Sequence, residues 1–280
     1  MSRYRKLEIL KEILREIKSA LIAYSGGVDS TFLLKVARDT LGSDVLAVTA
    51  DSPTYPSQEI QEAKALAKKL SVRHLTIETE EFADSNFVSN PPDRCYYCKK
   101  ELFSKLRKIA RENHLNHILD GSNLDDEKDF RPGMRAAREF GVRSPLREAG
   151  FTKEDIRQLS KELDLATWNK PALACLASRF PYGKPLTKQN LGRVGKAEKL
   201  LRDMGIGQIR VRHHGHIARI EVPRREINRF LSDSFRKKLV DKLKEFGYTY
   251  VTLDLEGYRT GSMNEVLPHL SPSVRKSDIK

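Results

Sequence analysis

The sequence is poor in cysteine and tryptophan and has no long apolar run. Its 280 residues include three Cys and one Trp, and 32% of the residues are charged. No stretch approaches the ~18 apolar residues that a membrane-spanning helix needs, so no membrane partner is expected. Three cysteines cannot all pair and are too few for a disulfide framework. We therefore expect a globular protein whose stability comes from an apolar core.

The amino terminus lacks the pattern of a secretory signal. Residues 1–20 place charges between apolar residues at helical spacing, without an unbroken apolar stretch or a cleavage site. A cytoplasmic location is therefore predicted. In that reducing compartment the C-x-x-C spacing of Cys95 and Cys98 favours metal, cluster or redox chemistry over a disulfide.

Negative charge is scarce in the last part of the chain. Lys and Arg number 51 against 38 Asp and Glu, a net charge of +13, and residues 171–280 hold 22 basic and 11 acidic residues. This asymmetry favours a region that faces phosphates, either of a nucleotide or of RNA. A basic surface that is merely solvated fits the composition equally well.

Periodicity divides the chain into two parts. Residues 1–170 alternate apolar strands (20–24, 45–49, 74–77, 117–120) with amphipathic helices (30–40, 57–70, 99–113, 152–163). Residues 171–280 predict helices at 188–204 and 224–246 with strands at 208–213, 217–222 and 248–254. We therefore predict an α/β domain with a doubly wound parallel sheet over 1–170 and a smaller α+β domain over 171–280. Thr152, with Asp155 three residues later, is the predicted cap of the helix at 152–163.

A glycine-rich turn joins the first predicted strand to the first predicted helix. It reads Ser25-Gly26-Gly27-Val28-Asp29-Ser30. Such a turn at a helix amino terminus cradles anions, because backbone N–H groups and the helix dipole point at one spot. The glycines permit close backbone approach, and the two serines add hydroxyl donors. No lysine occupies the position that a Walker A loop requires.

This turn resembles the pyrophosphate loop (PP-loop) of the ATP pyrophosphatase superfamily, which cleaves ATP to AMP and pyrophosphate. The resemblance implies an adenine nucleotide alpha hydrolase-like sheet with ATP at the carboxyl ends of its strands. Asp29 would act through Mg²⁺ held between the phosphates. Ala50 and Ser52 after the second strand, and Gly121 and Asp125 after the fourth, are expected at the same edge, with Asp125 resembling a magnesium-binding acid. Taken alone, each of these loops is also ordinary turn chemistry.

Cys175 stands apart from the other two cysteines, in a basic loop that contains proline. On the residues alone, Cys95 and Cys98 fit a zinc site, a redox pair or two unrelated thiols, and Cys175 fits a small buried apolar residue. Zinc would require a fourth ligand, and none of the seven His residues lies beside the cysteines. A cluster held by three cysteines would leave one iron open to an exogenous ligand such as hydrosulfide.

Four further blocks narrow the resemblance to one family. They read NPPDRCYYCKKELF, FRPGMRAAREFGVRSPL, KPALACLASRFPYG and DLEGYRTGSMNE, and with the PP-loop they span residues 20–265. Together they resemble the ATP-dependent sacrificial sulfur transferase family, LarE. The resemblance implies sulfuration of pyridinium-3,5-biscarboxylate mononucleotide during synthesis of the nickel pincer cofactor. Expected partners are that small phosphorylated pyridinium dicarboxylate nucleotide, a sulfide donor and further copies of the chain.

Members of the LarE family are of two kinds. In one kind a single cysteine gives up its own sulfur and becomes dehydroalanine. In the other kind three cysteines hold a [4Fe-4S] cluster that carries an extra sulfide. Cys95, Cys98 and Cys175 match the second kind, so the resemblance implies that they bind a cluster and that the protein is not consumed.

The resemblance also implies the catalytic residues. Ser178 follows Cys175 in the same block, and Glu198 matches an active-site position of the family. Arg210 and Arg212 alternate along a predicted strand and so share one face, where such a pair would bind anions near Cys175. A solvated basic strand face is the alternative. Three histidines of the hairpin that follows are interpreted as surface residues: His213, His214 and His216.

A tRNA 2-thiolation enzyme of the same superfamily is the main alternative function. It would use the same ATP loop and a three-cysteine cluster, and residues 171–280 would contact RNA phosphates. No RNA-binding module or zinc ribbon is recognisable, so nucleic acid is not expected as a partner. A regulatory ATP-binding domain would not need cysteines beside a basic loop.

Overall fold

The computed structural model describes residues 1–128, 132–171 and 174–267, with the side chains of residues 127 and 128 omitted. The chain divides into two units, Met1–Ala174 and Cys175–Lys280. Among the described residues, no helix combines the length and the apolar character that crossing a membrane would require.

Four parallel strands form the sheet of the first unit. They are β1 (Ala20–Ala23), β2 (Val45–Asp51), β3 (Arg73–Glu78) and β4 (His117–Leu119), in the order β3-β2-β1-β4. Ala20 of β1 pairs with Val45 on one side and with His117 on the other. This arrangement confirms the predicted α/β fold, and it brings the carboxyl ends of all four strands to one edge.

Helices cover this sheet. They are α1 (Arg3–Ile17), α2 (Val28–Leu41), α3 (Ser57–Lys69), α4 (Ser85–Val88), α5 (Arg94–Glu112), α6 (Gly133–Glu139), α7 (Pro145–Glu148) and α8 (Lys153–Glu162), with 3-10 helices at Glu81–Ala83 and Leu124–Lys128. The predicted cap of α8 is confirmed, because Thr152 and Asp155 exchange the reciprocal hydrogen bonds of a capping box. By contrast, α5 begins five residues before its predicted start, so its first two turns contain Cys95 and Cys98.

Two apolar clusters lie against the first sheet. One packs Leu10 and Leu14 of α1 with Phe32 of α2 and with Phe151. The other packs strand residues such as Leu21 and Leu46 against α5, where Phe103 and Leu106 are buried. Burial on both faces explains why β1 and most of β2 read as continuous apolar runs, whereas β3 has exposed and half-buried residues and does not.

The second unit contains a small mixed sheet, which confirms the predicted α+β class. Its elements are α9 (Lys188–Asp203), β5 (Arg210–His214), β6 (Ile217–Glu221), α10 (Asp233–Glu245) and β7 (Tyr250–Leu253), with 3-10 helices at Leu176–Arg179, Arg224–Leu231 and Ser262–Val266. Strand β6 pairs antiparallel with β5 and parallel with β7. The predicted helix at 224–246 is interrupted at Ser232, whose extended backbone forms the N-cap position of α10.

One histidine assignment was wrong. His213 is only 7% exposed, whereas His214 and His216 lie at the surface as predicted. The His213 ring packs 4.9 Å from the ring of Phe180, and its Nδ1 lies 3.3 Å from the hydroxyl of Tyr248. Burial lowers the pKa of His213 to about 4, so the ring is neutral at physiological pH.

Candidate functional site

The PP-loop has the geometry of an anion cradle. Gly26 adopts φ +68°, and a Cβ there would lie 3.0 Å from the Cβ of Ala63 on α3, so both conformation and space require glycine. The extended Gly27 precedes α2 and provides no side-chain cap. The first N–H groups of a helix have no hydrogen-bond acceptor within the helix. In this loop they are therefore available to bind an anionic ligand.

Two serine hydroxyls lie beside these N–H groups. Their oxygens, Ser25 Oγ and Ser30 Oγ, are 3.1 Å apart. Ser25 Oγ also accepts from the N–H of Gly27 at 3.3 Å, and Ser30 Oγ donates to the Gly27 carbonyl at 3.2 Å. The predicted phosphate-binding residues are thus brought together in one hydrogen-bonded loop.

Asp29, in the first turn of α2, binds two groups that the sequence did not suggest. The ammonium of Lys153 pairs with its Oδ2, and Asn123 Nδ2 donates to its Oδ1 at 3.3 Å. The backbone N–H of Lys153 donates in turn to Oδ2 of Asp125 at 2.8 Å. Asp29 and Asp125, both proposed to act through magnesium, are therefore linked through Lys153.

Gly121 allows two segments of backbone to meet. A Cβ on Gly121 would lie 3.0 Å from the backbone N of Ser30 and 3.2 Å from its Cα. Glycine was expected here so that the backbone could approach a nucleotide. The close approach that the structure contains is instead to the first turn of α2, which fixes the loop after β4 against the PP-loop.

Ser52 has a supporting role in its loop. Its hydroxyl donates to the buried carboxylate of Glu81 and accepts from the N–H of Thr54 at 3.0 Å, while Thr54 Oγ1 lies 2.7 Å away. These contacts occupy the hydroxyl, and the side chain is buried. Any contact of Ser52 with a ligand would therefore use its backbone. Ala50 lies within β2 itself and is half-buried.

Lys170 is a second lysine beside the PP-loop that the sequence did not suggest. Its ammonium pairs with Glu59 at 2.7 Å and with Glu62 at 2.8 Å, both on α3, and lies 3.4 Å from the carbonyl oxygen of Gly26. Burial lowers the pKa of Lys170, but the two carboxylates outweigh that effect, so its pKa lies above the usual value. Lys170 therefore remains charged and attaches the end of the first unit to α3.

The start of α5 contains the cysteine pair. Cys95 and Cys98 are both half-buried, and their i,i+3 spacing places them on one side of the helix. A Cβ on Gly133, the first residue of α6, would lie 3.4 Å from the carbonyl oxygen of Cys95. Between the cysteines, Tyr96 donates to Glu139 at 2.8 Å and is covered by the Arg135 guanidinium at 3.6 Å. Contacts with α6 thus hold the start of α5.

Cys175 is the first residue of the second unit, and its described hydrogen bonds use its carbonyl oxygen. That oxygen accepts from the N–H of Ser178 at 3.0 Å, from its hydroxyl at 2.8 Å and from Arg179 Nη1 at 3.2 Å. Ser178 was predicted to be catalytic, and here its hydroxyl proton is used to hold the Cys175 peptide.

A buried ion pair connects this peptide to α9 and β5. Arg179 and Glu198 are each 1% exposed and form a bidentate pair with distances of 2.8 and 3.0 Å. Glu198 also accepts from the N–H of Val211 at 3.0 Å. Burial raises the pKa of Glu198, but Arg179 and the Val211 N–H outweigh that effect and lower the pKa below its usual value.

Arg210 and Arg212 lie on either side of Val211 and are buried, so they do not form a solvated strand face. Arg212 donates to both carboxylate oxygens of Glu221, at 2.9 and 2.7 Å, to the Ser178 carbonyl at 2.9 Å and to Ser262 Oγ at 2.9 Å. Arg210 lies over the ring of Tyr258, 5.2 Å from its centroid. Burial, with Arg179 nearby, lowers the pKa of Arg210. The predicted residues Cys175, Ser178, Glu198 and the arginine pair therefore belong to one network.

The structure leaves the predicted cluster untested. Cys95 and Cys98 belong to the first unit, whereas Cys175 belongs to the second. Within the described ranges, no group of three or more His, Cys, Asp or Glu side chains is placed to hold a metal ion.

Comparison with known proteins agrees with this geometry. A family model described as NAD synthase matches residues 5–119, which include β1 to β4 and the PP-loop. The pyridinium-3,5-bisthiocarboxylic acid mononucleotide synthase of Lactiplantibacillus plantarum is 43% identical over 263 residues, covering 94% of this chain and 95% of that protein. The chain belongs to the LarE family.

Two further relatives match almost the whole chain. An uncharacterized protein of Synechocystis sp. is 47% identical over 94% of this chain and 98% of its own length. An uncharacterized protein of Methanocaldococcus jannaschii is 31% identical over 91% of this chain and 98% of its own length. As a LarE protein, the chain is an ATP-dependent sulfur transferase with a PP-loop, which confirms the prediction from the sequence.

Proposed function

We propose that this chain adenylates a carboxylate of pyridinium-3,5-biscarboxylate mononucleotide and then replaces AMP with sulfur, in the cytoplasm, during synthesis of the nickel pincer cofactor. The observation that carries the proposal is the hydrogen-bonded path from Cys175 through Arg179 and Glu198 to β5. It joins a sulfur-bearing residue to the strand that carries Arg210 and Arg212. The name of the L. plantarum relative supports the choice of nucleotide.

The first step activates a carboxylate, which is a poor acylating group. Its oxygen attacks the α-phosphorus of ATP, an acyl adenylate forms, and pyrophosphate leaves into the PP-loop. The N–H groups at the start of α2 and the hydroxyls of Ser25 and Ser30 would bind the leaving group. Asp29, an oxygen ligand of the type Mg²⁺ prefers, would hold the ion that neutralises the phosphates. Asp125 supports this arrangement by accepting from the backbone of Lys153.

The second step releases AMP and forms the thiocarboxylate. A sulfur nucleophile must attack the carbonyl carbon of the acyl adenylate, and the electron pair of the broken C–O bond leaves with AMP. Arg210 and Arg212 would bind the negatively charged groups of the nucleotide and so orient that carbon. Glu198 and Arg179 would keep the Cys175 peptide in place through their buried contacts.

Cysteine side chains are the usual protein ligands of iron–sulfur clusters. Cys95, Cys98 and Cys175 would hold such a cluster. When bound, a [4Fe-4S] cluster with one iron not ligated by the protein would supply the transferable sulfide.

The products of ATP cleavage and the sulfur acceptor test the function. Incubation with ATP, Mg²⁺ and the dicarboxylated pyridinium nucleotide should yield AMP, pyrophosphate and a thiocarboxylate. Asp29→Ala should abolish this activity with folding retained.

Two outcomes would contradict the proposal. ADP and free phosphate as the main products would contradict the adenylation step, and thiolated bulk tRNA beside unreacted nucleotide would favour the tRNA 2-thiolation enzyme. Binding of RNA should also fall steeply as salt rises, whereas binding of the small nucleotide should fall far less.

Metal analysis tests the cysteine assignment separately. Protein purified and reconstituted under strict exclusion of oxygen should contain about four irons and absorb broadly in the visible range. Each single Cys→Ala change at 95, 98 or 175 should remove the cluster and sulfur transfer, while pyrophosphate and the acyl adenylate still form. One tightly bound zinc and no iron would reject the cluster.

A further inference from the structure

The hydroxyl of Ser262 has an unusual partner. Its Oγ lies 2.9 Å from Nη2 of Arg212. A guanidinium has five N–H donors and no acceptor, so Ser262 must accept in this contact. The Ser262 O–H proton therefore points elsewhere, and the guanidinium makes it a stronger donor by drawing electron density from the oxygen.

The position of Ser262 is fixed by its neighbours. It begins the 3-10 helix Ser262–Val266 after Gly261, whose φ of +77° favours glycine. The Tyr182 hydroxyl donates to Asn264 Oδ1 at 2.9 Å, and Arg259 pairs with Glu265 at 2.6 Å. The middle and the carboxyl-terminal part of the short helix are thus held, and Ser262 itself is half-buried.

The charges around Ser262 favour an anion. Arg212 has four described hydrogen bonds, all to protein acceptors, so one of its five N–H donors remains for a ligand. The buried arginines of this network outnumber its buried carboxylates: Arg179, Arg210 and Arg212 face Glu198 and Glu221. A buried surplus of positive charge is compensated most readily by a bound oxyanion.

We propose that Ser262 binds an oxyanion of the substrate: its O–H donates to the same phosphate or carboxylate group that takes the remaining N–H of Arg212. The inference rests on the proposed function, because it assumes that Arg212 belongs to the substrate site. In this proposal Ser262 contributes a neutral O–H donor. Its hydrogen bond would fix the orientation of the bound group, which charge attraction alone does not do.

Two small anions test the inference and separate the two possible substrate groups. Inorganic phosphate and pyridine-3,5-dicarboxylate are titrated separately, by calorimetry, into the full chain. Ser262→Ala should weaken binding of one of them roughly tenfold, the effect of one hydrogen bond to a charged group. Ser262→Thr keeps the hydroxyl and should bind as the unchanged protein does. Ser234→Ala, which removes an exposed hydroxyl of the same unit, is the matched control.

The outcomes distinguish this inference from the proposed function. Thermal unfolding of each variant first establishes that the fold is intact. If Ser262→Ala binds both anions normally while Arg212→Lys weakens one of them, the role of Ser262 is wrong and the substrate site stands. If Arg212→Lys also binds both anions normally, the proposed substrate site is wrong as well. Weak binding by both Ser262→Ala and Ser262→Thr would indicate packing rather than hydrogen bonding and would also overturn the inference.

Discussion

Among single residues, Lys153 has the most direct effect on the charge of the PP-loop. Its ammonium pairs with Asp29, the carboxylate proposed to hold Mg²⁺. A carboxylate oxygen that accepts from lysine is not fully available to a metal ion, so binding of Mg²⁺ and ATP would release the ammonium toward the phosphates. The same lysine would thus neutralise Asp29 before binding and pyrophosphate after it.

Replacement of Lys153 tests this role. Lys153→Met should slow formation of pyrophosphate about ten- to a hundredfold, because a charge-assisted hydrogen bond contributes about 1.5–3 kcal/mol. Lys161→Met is a suitable control, since Lys161 lies on the same helix and contacts the ring of Trp168 instead. Release of pyrophosphate is the measurement. A Lys153→Met enzyme as fast as the control would show that the contact with Asp29 has no catalytic consequence.

Local pattern predicted some of these residues and not others. The PP-loop could be recognised because its six residues are consecutive and lie between a strand and a helix. Lys153 and Lys170 could not be recognised in this way. Lys153 is 124 positions from Asp29, and Lys170 is 144 positions from Gly26. A lysine on a helix is normally solvated, and only the folded sheet brings these two to the loop.

At the level of elements, α9 carries Glu198 but also has glycines in its interior. Gly192 is exposed in mid-helix with no atom near its absent side chain, whereas a Cβ on Gly195 would lie 3.3 Å from Leu176 Cδ1. Leu176 directly follows Cys175. Packing therefore does not require glycine at position 192, whereas Gly195 faces Leu176, the residue after Cys175.

The two glycines should respond differently to alanine. Gly192→Ala should raise the free energy of unfolding by about 1 kcal/mol, because alanine loses less backbone entropy in a helix. Gly195→Ala should gain less or lose stability, since the added methyl crowds Leu176. Urea titration followed by circular dichroism measures both. Equal stabilisation by the two changes would contradict the packing described for Gly195.

Element boundaries followed local signals only in part. The capping box at Thr152 was predicted correctly because its two residues are three positions apart. The start of α5 was missed, since its first turn depends on contacts with α6, whose first residue packs against Lys99 and the Cys95 carbonyl. The break at Ser232 was also missed: residues 224–231 form a 3-10 helix that ends there, and α10 begins at Asp233.

For the molecule as a whole, His213 makes stability depend on pH. It is neutral in the folded state down to about pH 4, whereas its ordinary pKa is 6.5. Above pH 6.5 both states are neutral and His213 has no effect. As the pH falls from 6.5 toward 4, the unfolded chain binds a proton that the folded chain does not, so the free energy of unfolding decreases.

The expected loss is about 3 kcal/mol across that range, at 1.36 kcal/mol per pKa unit. His213→Phe should remove this part of the pH dependence, because phenylalanine does not titrate. His216→Gln should leave the slope unchanged, since His216 is exposed. Denaturant unfolding between pH 5 and pH 7 gives the slopes, and parallel curves for His213→Phe and the unchanged protein would contradict the buried neutral ring.

The class of each unit followed from the sequence because hydrophobic periodicity is a local property. The burial of Arg210, Arg212 and His213 could not be predicted from the sequence, because a basic strand normally faces solvent. Arg212 is buried against Glu221 of a neighbouring strand, and His213 is buried against the rings of Phe180 and Tyr248, so these contacts come from other parts of the chain. The charge pattern therefore predicted an anion-binding strand and left a solvated strand face open, and the burial of both arginines excludes the solvated face.

The way Cys175 is held has a consequence for the fate of its sulfur. Its described hydrogen bonds use the backbone carbonyl and leave the sulfur out of the supporting frame. A chain built in this way can lose the sulfur, or share it with a metal group, without rebuilding Ser178, Arg179 or Glu198. Under the function proposed above, gain or loss of Cys95 and Cys98 would decide whether the sulfur of Cys175 is consumed, while the supporting scaffold stays the same.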